Sequence, residues 1–249
     1  MSDGLTQTVI AMDLVPFRFG PDATSELPFE LERFAARRVL LVTDRALRPH
    51  GLVERVERLI ADTGAEVVTF DQVHIEPTDR SLREAISFAQ RAQPDAYVSL
   101  GGGSTIDTAK AMNLFTTYPA DLFDYINKPV GKGLPVPGPL KPHIALPTTA
   151  GTGSETTAVI ALELSERRLK TGISHRFIRP TMAIVDPLNT VTCPPMVTAF
   201  AGLDVLCHAI ESYTAMPYHV RPRPASPAER PAYIGANPIA DIWSAQAIR

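Results

Sequence analysis

The segment Gly101-Gly102-Gly103-Ser104-Thr105-Ile106-Asp107-Thr108-Ala109-Lys110 decides the fold of this chain. It follows the apolar run Ala96–Leu100, which is typical of a buried parallel strand, and leads into residues 109–114, which are typical of a helix. Glycines at such a turn let the backbone approach a ligand closely, and the N–H groups at a helix start favour an anion. The segment therefore predicts a pyrophosphate cradle. A sharp strand-to-helix turn that binds nothing is the alternative.

Strands and helices alternate on both sides of this turn. The strand candidates are residues 38–43, 66–70, 96–100, 143–146 and 181–185. Apolar residues at helical spacing predict a helix within 52–60, and Ser81-Leu82-Arg83-Glu84 has the pattern of a capping box that opens a helix through Arg91. Residues 157–164 and 169–174 favour a hairpin. The alternation predicts an α/β fold with a doubly wound parallel sheet.

The pattern changes after Asp186-Pro187. Pro194-Pro195 predicts the start of a helix that reaches about Thr214, and Asn237-Pro238 predicts the cap of a last helix. The sequence thus predicts an α/β domain over 1–190 and the beginning of a helical domain over 191–249. We expect the helical domain to be incomplete, because the last helix shows no C-cap signal.

Composition excludes several classes of protein. The net charge of −3, from 24 basic and 27 acidic residues, gives no electrostatic footprint for nucleic acid. Two cysteines do not form a disulfide framework, so a reducing compartment is expected. No apolar signal region and no run near the ~18 apolar residues of a membrane span is present. These features predict a cytoplasmic protein without a membrane partner, and they leave a homodimer open.

Asp204 and His208 form a candidate metal-binding pair, since positions i and i+4 share one face of a helix. Their neighbours are apolar almost all round, so the helix is expected to be buried. A buried carboxylate and imidazole either satisfy each other and nearby backbone or bind a divalent metal. Two ligands are too few for a catalytic site. The remaining histidines are expected on the surface or in loops: His50, His74, His143, His175 and His219.

Two further features suggest a nucleotide site. The segment Pro147–Thr157 is dense in hydroxyls and glycines and predicts a second wall for phosphates and ribose, with a plain Gly/Thr-rich loop as the alternative. Asp44 follows the first strand and predicts a hydrogen-bond acceptor for an adenosine ribose, with a turn cap as the alternative. No G-x-G-x-x-G follows that strand, so the usual dinucleotide fingerprint is absent.

Taken together, these segments resemble the iron-containing, or group III, alcohol dehydrogenase family. The matching elements are GGGSTIDTAK at 101–110, PTTAGTGSETT at 147–157, KTGI at 170–173, Asp186-Pro187 and GLDVLCHAIESYTA at 202–215. Further segments resemble the family's hydroxyacid-oxoacid transhydrogenase branch: 73–90, 129–133 and 217–243. The resemblance implies a dehydroquinate synthase-like fold, in which residues 1–190 bind NAD and the helical domain binds a metal.

The resemblance also implies residue roles. The Gly101–Ser104 turn and Asp107 would bind the NAD pyrophosphate, Lys170 would reach the ribose or phosphates, and Asp44 would favour NAD over NADP. The cofactor cleft would be lined by Thr148, Thr149, Thr152 and Thr157.

For the metal, the resemblance implies that Asp204 and His208 are two of four ligands to iron or zinc. The family's other two ligands are histidines further downstream, and this chain ends before them. The basic, Pro-rich segment after the metal helix offers candidate anchors for a carboxylate substrate: Arg221, Arg223 and Arg230. A solvated loop is the alternative for these arginines.

The implied activity is a transhydrogenase reaction on small molecules. Hydride would pass through bound NAD from a hydroxy acid such as 4-hydroxybutyrate to an oxo acid such as 2-oxoglutarate, with a divalent metal assisting. One alternative is an alcohol dehydrogenase that uses free NAD. Another is a truncated, inactive nucleotide-binding fragment.

Overall fold

The computed structural model describes residues 6–231 and 233–249. They form two compact units. The larger comprises Val15–Thr149 and Gly153–Cys193, and the smaller comprises residues 6–14, 150–152 and the described part of 194–249. The predicted division into 1–190 and 191–249 stays a prediction. None of the helices among the described residues has the length and apolar character that a membrane span requires.

A six-stranded sheet, parallel throughout, forms the centre of the larger unit. Its order is β1-β8-β5-β4-β2-β3. The strands are β1 (Phe17–Phe19), β2 (Arg38–Thr43), β3 (Glu66–Phe70), β4 (Ala96–Gly101), β5 (His143–Pro147) and β8 (Met182–Val185). The remaining two, β6 (Val159–Leu164) and β7 (Leu169–Ser174), form a separate antiparallel hairpin. The α/β class, the parallel sheet and the hairpin are confirmed.

Helices cover both faces of the sheet. They are α1 (Leu27–Arg33), α2 (Leu52–Ala61), α3 (Asp79–Ala92), α4 (Gly103–Thr117) and the short α5 (Leu122–Tyr125). Successive residues of a strand point to opposite faces. Accordingly, Val39 and Leu41 pack in a core with α1 and α2, whereas Leu40 and Val42 pack in a second core with α3 and α4. This two-sided burial explains why the strands are continuous apolar runs.

Helix α3 begins earlier than the sequence pattern indicated. The capping box predicted at Ser81 and Glu84 is wrong. The N-cap is Thr78, whose hydroxyl accepts a hydrogen bond from Ser81 N, while Ser81 Oγ accepts one from Thr78 N. The hydroxyl of the third helical residue replaces the glutamate that is usual there, because its oxygen also accepts a hydrogen bond from the N-cap N–H.

The smaller unit contains α6 (Pro195–Thr214) and α7 (Pro238–Ile248), which pack against each other. As predicted, α7 is capped by Asn237, whose Oδ1 accepts hydrogen bonds from the N–H groups of Ile239 and Ala240. The expected burial of α6 is wrong: Ala209 is its only buried residue, and side chains such as Phe200 and Leu203 are exposed. Within the described residues of this unit, too little packs on α6 to cover a helix that is apolar on most sides.

The expectation that His143 lies on the surface is also wrong. His143 is 2% exposed on β5, and its Nε2 lies 2.8 Å from Ser99 Oγ on the neighbouring strand. Burial, assisted by the positive charge of Lys110, lowers the pKa of His143 to about 3. The ring is therefore neutral in the folded protein at physiological pH.

We expect the burial of His143 to make the stability of the protein depend on pH. His143→Gln should reduce this dependence. Between pH 6.5 and about 3, the unfolded chain binds a proton at His143 that the folded chain does not, so the stability falls as the pH falls. As the pH falls from 7 to 4, the unfolding free energy of the variant should rise by roughly 2–3 kcal/mol relative to that of the wild type. Urea unfolding of both proteins at several pH values measures the difference. A free-energy difference that stays constant over this range would contradict the assignment.

Candidate functional site

The glycine turn lies where the order of the sheet reverses. Strand β2 has β3 on one side and β4 on the other, and Thr43 is paired with Leu100. Asp44 follows Thr43 and Gly101 follows Leu100, so both residues lie at the carboxyl edge of the sheet. Ligands of doubly wound folds bind in the crevice at this switch point. The fold therefore brings two predicted elements of the cofactor site to one edge.

The two glycines of the turn differ in the space around them. A Cβ on Gly101 would lie 2.3 Å from Thr105 Oγ1, so only glycine fits there. A Cβ on Gly102 would meet only Thr149, at 3.4 Å, which leaves room above the turn. Gly102 is the N-cap of α4, and its cap has no side-chain hydrogen bond. The first turn of α4 contains no acidic residue, so the positive end of the helix is suited to an anion.

Asp44 is half-buried and caps a short 3₁₀ helix, Arg45–His50. Its Oδ1 accepts a hydrogen bond of 2.9 Å from Ala46 N. The alternative of a turn cap is thus realised in the structure. A carboxylate has further lone pairs, so capping leaves acceptor capacity for ribose hydroxyls. The contact with a ribose stays a prediction.

The four threonines do not share one environment. Thr148 is buried, and its N–H donates to the carbonyl of Gly101 at 3.0 Å. Thr149 is the residue closest to an added Cβ on Gly102. Thr157 is half-buried and accepts a hydrogen bond from Lys110 Nζ at 3.1 Å. Thr152 is exposed and belongs to the segment 150–152 of the smaller unit.

Asp107 is engaged within the protein. It is 6% exposed; its Oδ1 accepts from Lys110 Nζ at 3.1 Å and its Oδ2 accepts from Ala161 N at 2.9 Å. It thus joins α4 to the hairpin strand β6. These hydrogen bonds give no support to its predicted contact with a pyrophosphate, which stays a prediction.

Lys170 and Ser104 are both linked to Glu76. The N–H of Glu76 donates to Ser104 Oγ at 3.1 Å, and Lys170 Nζ lies 3.2 Å from Glu76 Oε1. Both charged side chains of this pair are exposed, so the ion pair is weak and can exchange for another anion. Lys170 therefore remains available for the predicted phosphate or ribose contact.

In the smaller unit, Asp204 and His208 lie on one face of α6, as predicted. Asp204 Oδ1 is 3.7 Å from His208 Nε2, and both side chains are about half exposed. Among the described residues, no group of three or more metal-ligating side chains occurs. The pair thus has accessible donors, but this part of the chain supplies only two of them.

The three candidate substrate arginines lie in the irregular segment between α6 and α7. Arg221 and Arg230 are half-buried, and Arg223 is exposed. The carbonyl of Arg221 accepts from Gln7 N at 2.9 Å, which ties the segment to the N-terminal stretch of the same unit. No observation in this unit links the guanidinium groups to a substrate, so their role stays a prediction.

The residues fit a dinucleotide better than they fit a complete metal centre. At the glycine turn, a helix N-terminus, an open space above Gly102 and hydroxyl side chains suit a diphosphate. For a metal, the carboxylate oxygen of Asp204 and the imidazole nitrogen of His208 are suitable donors for iron or zinc. The donor types fit, whereas the number present in the described chain falls short of a full ligand set.

Two residues at this site were missed by sequence reasoning. Lys110 is fully buried in α4, and Glu76 has a left-handed backbone with φ of 56° beside the glycine turn. A signal for Lys110 existed, since a lysine three residues after an aspartate in an apolar helix needs a buried partner. No comparable signal identified Glu76.

Known proteins resemble this chain in sequence and in fold. A family model described as iron-containing alcohol dehydrogenase matches residues 16–187. A hydroxyacid-oxoacid transhydrogenase of Bos taurus is 48% identical over 246 residues, which cover 98% of this chain and 53% of that protein. An iron-containing alcohol dehydrogenase from Thermococcus thioreducens has 30% identity and a TM-score of 0.81, covering 96% of this chain and 58% of its own.

A third similar protein was solved with a cofactor. The sulfoacetaldehyde reductase of Bifidobacterium kashiwanohense, in complex with NAD+, has 30% identity and a TM-score of 0.75, and the match covers 84% of this chain and 54% of that one. The chain spans about half the length of the curated relatives it matches. The expectation of a cytoplasmic protein is wrong, because the matching transhydrogenases of Bos taurus and Homo sapiens are mitochondrial.

Proposed function

Because the chain belongs to the iron-containing alcohol dehydrogenase family, we propose that it takes part in hydride transfer between a hydroxy acid and an oxo acid, through NAD and with a divalent metal. The observation that carries this proposal is the 48% identity to a hydroxyacid-oxoacid transhydrogenase across 98% of the chain. The glycine turn at the switch point supports the cofactor, and the Asp204–His208 pair supports the metal.

The larger unit binds the dinucleotide in this proposal. The backbone N–H groups at the start of α4 hold the diphosphate, and Gly102 leaves the space that it needs. Asp44 accepts hydrogen bonds from the adenosine ribose and repels a 2′-phosphate, so NAD is preferred to NADP. Thr148, Thr149 and Thr157 add hydroxyl contacts, and Lys170 exchanges Glu76 for the cofactor's phosphates or ribose.

The smaller unit provides donors for the metal. Asp204 and His208 would be two ligands of iron or zinc, and the bound ion would lower the pKa of a substrate hydroxyl. Arg221, Arg223 and Arg230 would hold the substrate carboxylates, since a guanidinium suits bidentate binding. The arginine assignments predict that their replacement by alanine raises the KM for the oxo acid.

The reaction is balanced without an external oxidant. The hydroxy acid loses a hydride and its hydroxyl proton and becomes a carbonyl compound. The oxo acid gains a hydride and a proton and becomes a hydroxy acid. NAD supplies the hydride acceptor and donor when it is bound. A cofactor that remains bound between the two halves distinguishes this reaction from that of an ordinary alcohol dehydrogenase.

The test supplies the purified chain with 4-hydroxybutyrate deuterated at its alcohol carbon, together with 2-oxoglutarate and no added NAD. We expect deuterium at the alcohol carbon of the product hydroxy acid, detected by mass spectrometry. Oxidation that occurs only with added NAD and releases NADH would instead favour an alcohol dehydrogenase. NADH binding without either reaction would show that this chain alone is a nucleotide-binding fragment, and would overturn the proposed activity for it.

A further inference from the structure

We infer that Lys110 is a positioning residue of the cofactor site, which acts through the hydroxyl of Thr157 and never touches the ligand itself. The inference rests on the proposed dinucleotide site and concerns a residue to which the family resemblance gave no role. Lys110 lies on α4, the helix that begins at the glycine turn. It is fully buried, although a lysine is almost never buried without partners.

The hydrogen bonds of Lys110 leave no donor for a ligand. Its ammonium group has three N–H donors. They are directed to Asp107 Oδ1 at 3.1 Å, Thr157 Oγ1 at 3.1 Å and the carbonyl of Val159 at 2.8 Å. Direct contact with a phosphate would therefore cost one of these bonds in a buried environment.

The bond to Thr157 determines how that hydroxyl can interact. A threonine hydroxyl has one donor and can accept up to two hydrogen bonds. Because Lys110 occupies an acceptor position, the O–H of Thr157 points elsewhere. Its only other described contact is the carbonyl of Ser154, at a long 3.4 Å. Half-buried Thr157 can thus turn its proton to a phosphate or ribose oxygen at small cost.

The same cluster fixes where Thr157 stands. Lys110 holds the carbonyl of Val159, at the start of β6, while Asp107 holds the N–H of Ala161 in the same strand. Two adjacent turns of α4 are thereby connected to the hairpin. Since Thr157 precedes this strand by two residues, its hydroxyl is kept in a fixed position relative to the helix that carries the glycine turn.

The electrostatics of the cluster suit an indirect role. Burial lowers the pKa of Lys110, and the opposing attraction of Asp107 only partly compensates. Burial likewise raises the pKa of the nearby Glu155. The charge of Asp107 and the three hydrogen bonds hold the ammonium in place before any ligand arrives.

The experiment compares NADH affinity and unfolding free energy in a double-mutant cycle on the 249-residue chain. Thr157→Val removes the hydroxyl, and Lys110→Met removes the ammonium. Each should weaken NADH binding about tenfold or more, as expected for one lost charge-polarised hydrogen bond. The double variant should be little weaker than the worse single variant, because both changes remove the same contact.

Two further variants separate positioning from plain stability. Thr157→Ser keeps the hydroxyl, so its NADH affinity should be within about threefold of that of the wild type. This should hold only while Lys110 is present. Lys141→Met is the matched control: the ammonium of Lys141 donates to the carbonyl of Pro94 at 2.7 Å, outside the Lys110 cluster, so NADH affinity should not change. Affinity losses that multiply in the double variant would overturn the inference.

A replacement variant is available if Lys110→Met does not fold. Lys110→Met leaves the Asp107 carboxylate buried without its partner, which is costly. Should that variant fail to unfold cooperatively, Asp107→Asn combined with Lys110→Met removes both charges and replaces it in the cycle. If the unsubstituted chain binds no NADH, the dinucleotide site itself fails. If that chain binds NADH and the losses are independent, only the role of Lys110 fails.

Discussion

Replacing Gly101 with alanine is expected to destabilise the larger unit by about 3 kcal/mol, whereas Gly102→Ala should leave the fold intact and still weaken dinucleotide binding. A methyl group at Gly101 would lie 2.3 Å from Thr105 Oγ1, closer than real Cβ contacts. At Gly102 the same methyl group meets Thr149 at an ordinary 3.4 Å, and φ of −76° suits alanine.

The difference between the two variants is informative. Gly102→Ala should be as stable as the wild type or about 0.5 kcal/mol more stable, because alanine has fewer unfolded conformations to lose. Its methyl group nevertheless fills the space where a diphosphate would approach α4, so NADH affinity should fall about tenfold or more. Urea unfolding and fluorescence titration with NADH measure the two effects. Unchanged affinity in Gly102→Ala would place the diphosphate elsewhere.

The second large effect concerns the metal. We expect His208→Ala and Asp204→Asn each to reduce the affinity of the chain for Zn²⁺ or Fe²⁺ by about tenfold or more, since each removes one of two donors. Stability should change by no more than about 0.5 kcal/mol, because the pair is half exposed on a helix surface. If the pair were merely structural, neither substitution would change the metal affinity.

A matched control is available for this measurement. His219→Ala removes an exposed histidine of the same unit. The described ring contact of this histidine is with the neighbouring Tyr218. Its metal affinity should equal that of the wild type in calorimetric titrations. If His208→Ala binds the metal as tightly as this control does, the assignment of α6 as the metal helix is wrong.

The parallel sheet could be predicted because its strands are buried on both faces. Arg38–Thr43 and Ala96–Gly101 are rich in apolar residues, and the structure places both where the sequence did, within one residue. Strand β1 (Phe17–Phe19) was missed, since it has three residues and two exposed phenylalanines at the edge of the sheet. Edge strands carry little of the burial pattern that identifies central ones.

The exposure of α6 could not be predicted from its own sequence. An apolar helix surface shows that the helix is suited to burial, while the actual cover depends on what packs against it. The same limit applies to His143, whose surroundings are set by the neighbouring Ser99 on β4. The partner of His143 is distant from it in sequence, and the exposure of α6 depends on how little of the described chain packs on it.

Part of the candidate site followed from local pattern, and part depended on tertiary contacts. The glycine turn and the Asp204–His208 spacing are local features that the helices α4 and α6 preserve. The environment of Asp107 is not local, because its second oxygen meets Ala161 on the hairpin. The family resemblance implied that this carboxylate binds the pyrophosphate, and that contact stays a prediction. In the structure Asp107 accepts a hydrogen bond from Lys110.

The most direct test of the account is the equilibrium binding of dinucleotides to the unsubstituted 249-residue chain, measured by calorimetry with NADH, NAD+ and NADPH. We expect one saturable site per chain, competition between NADH and NAD+, and weaker binding of NADPH because Asp44 repels its 2′-phosphate. A chain that unfolds cooperatively yet binds none of the three would contradict the assignment of the glycine turn as a dinucleotide site, and with it the proposed function.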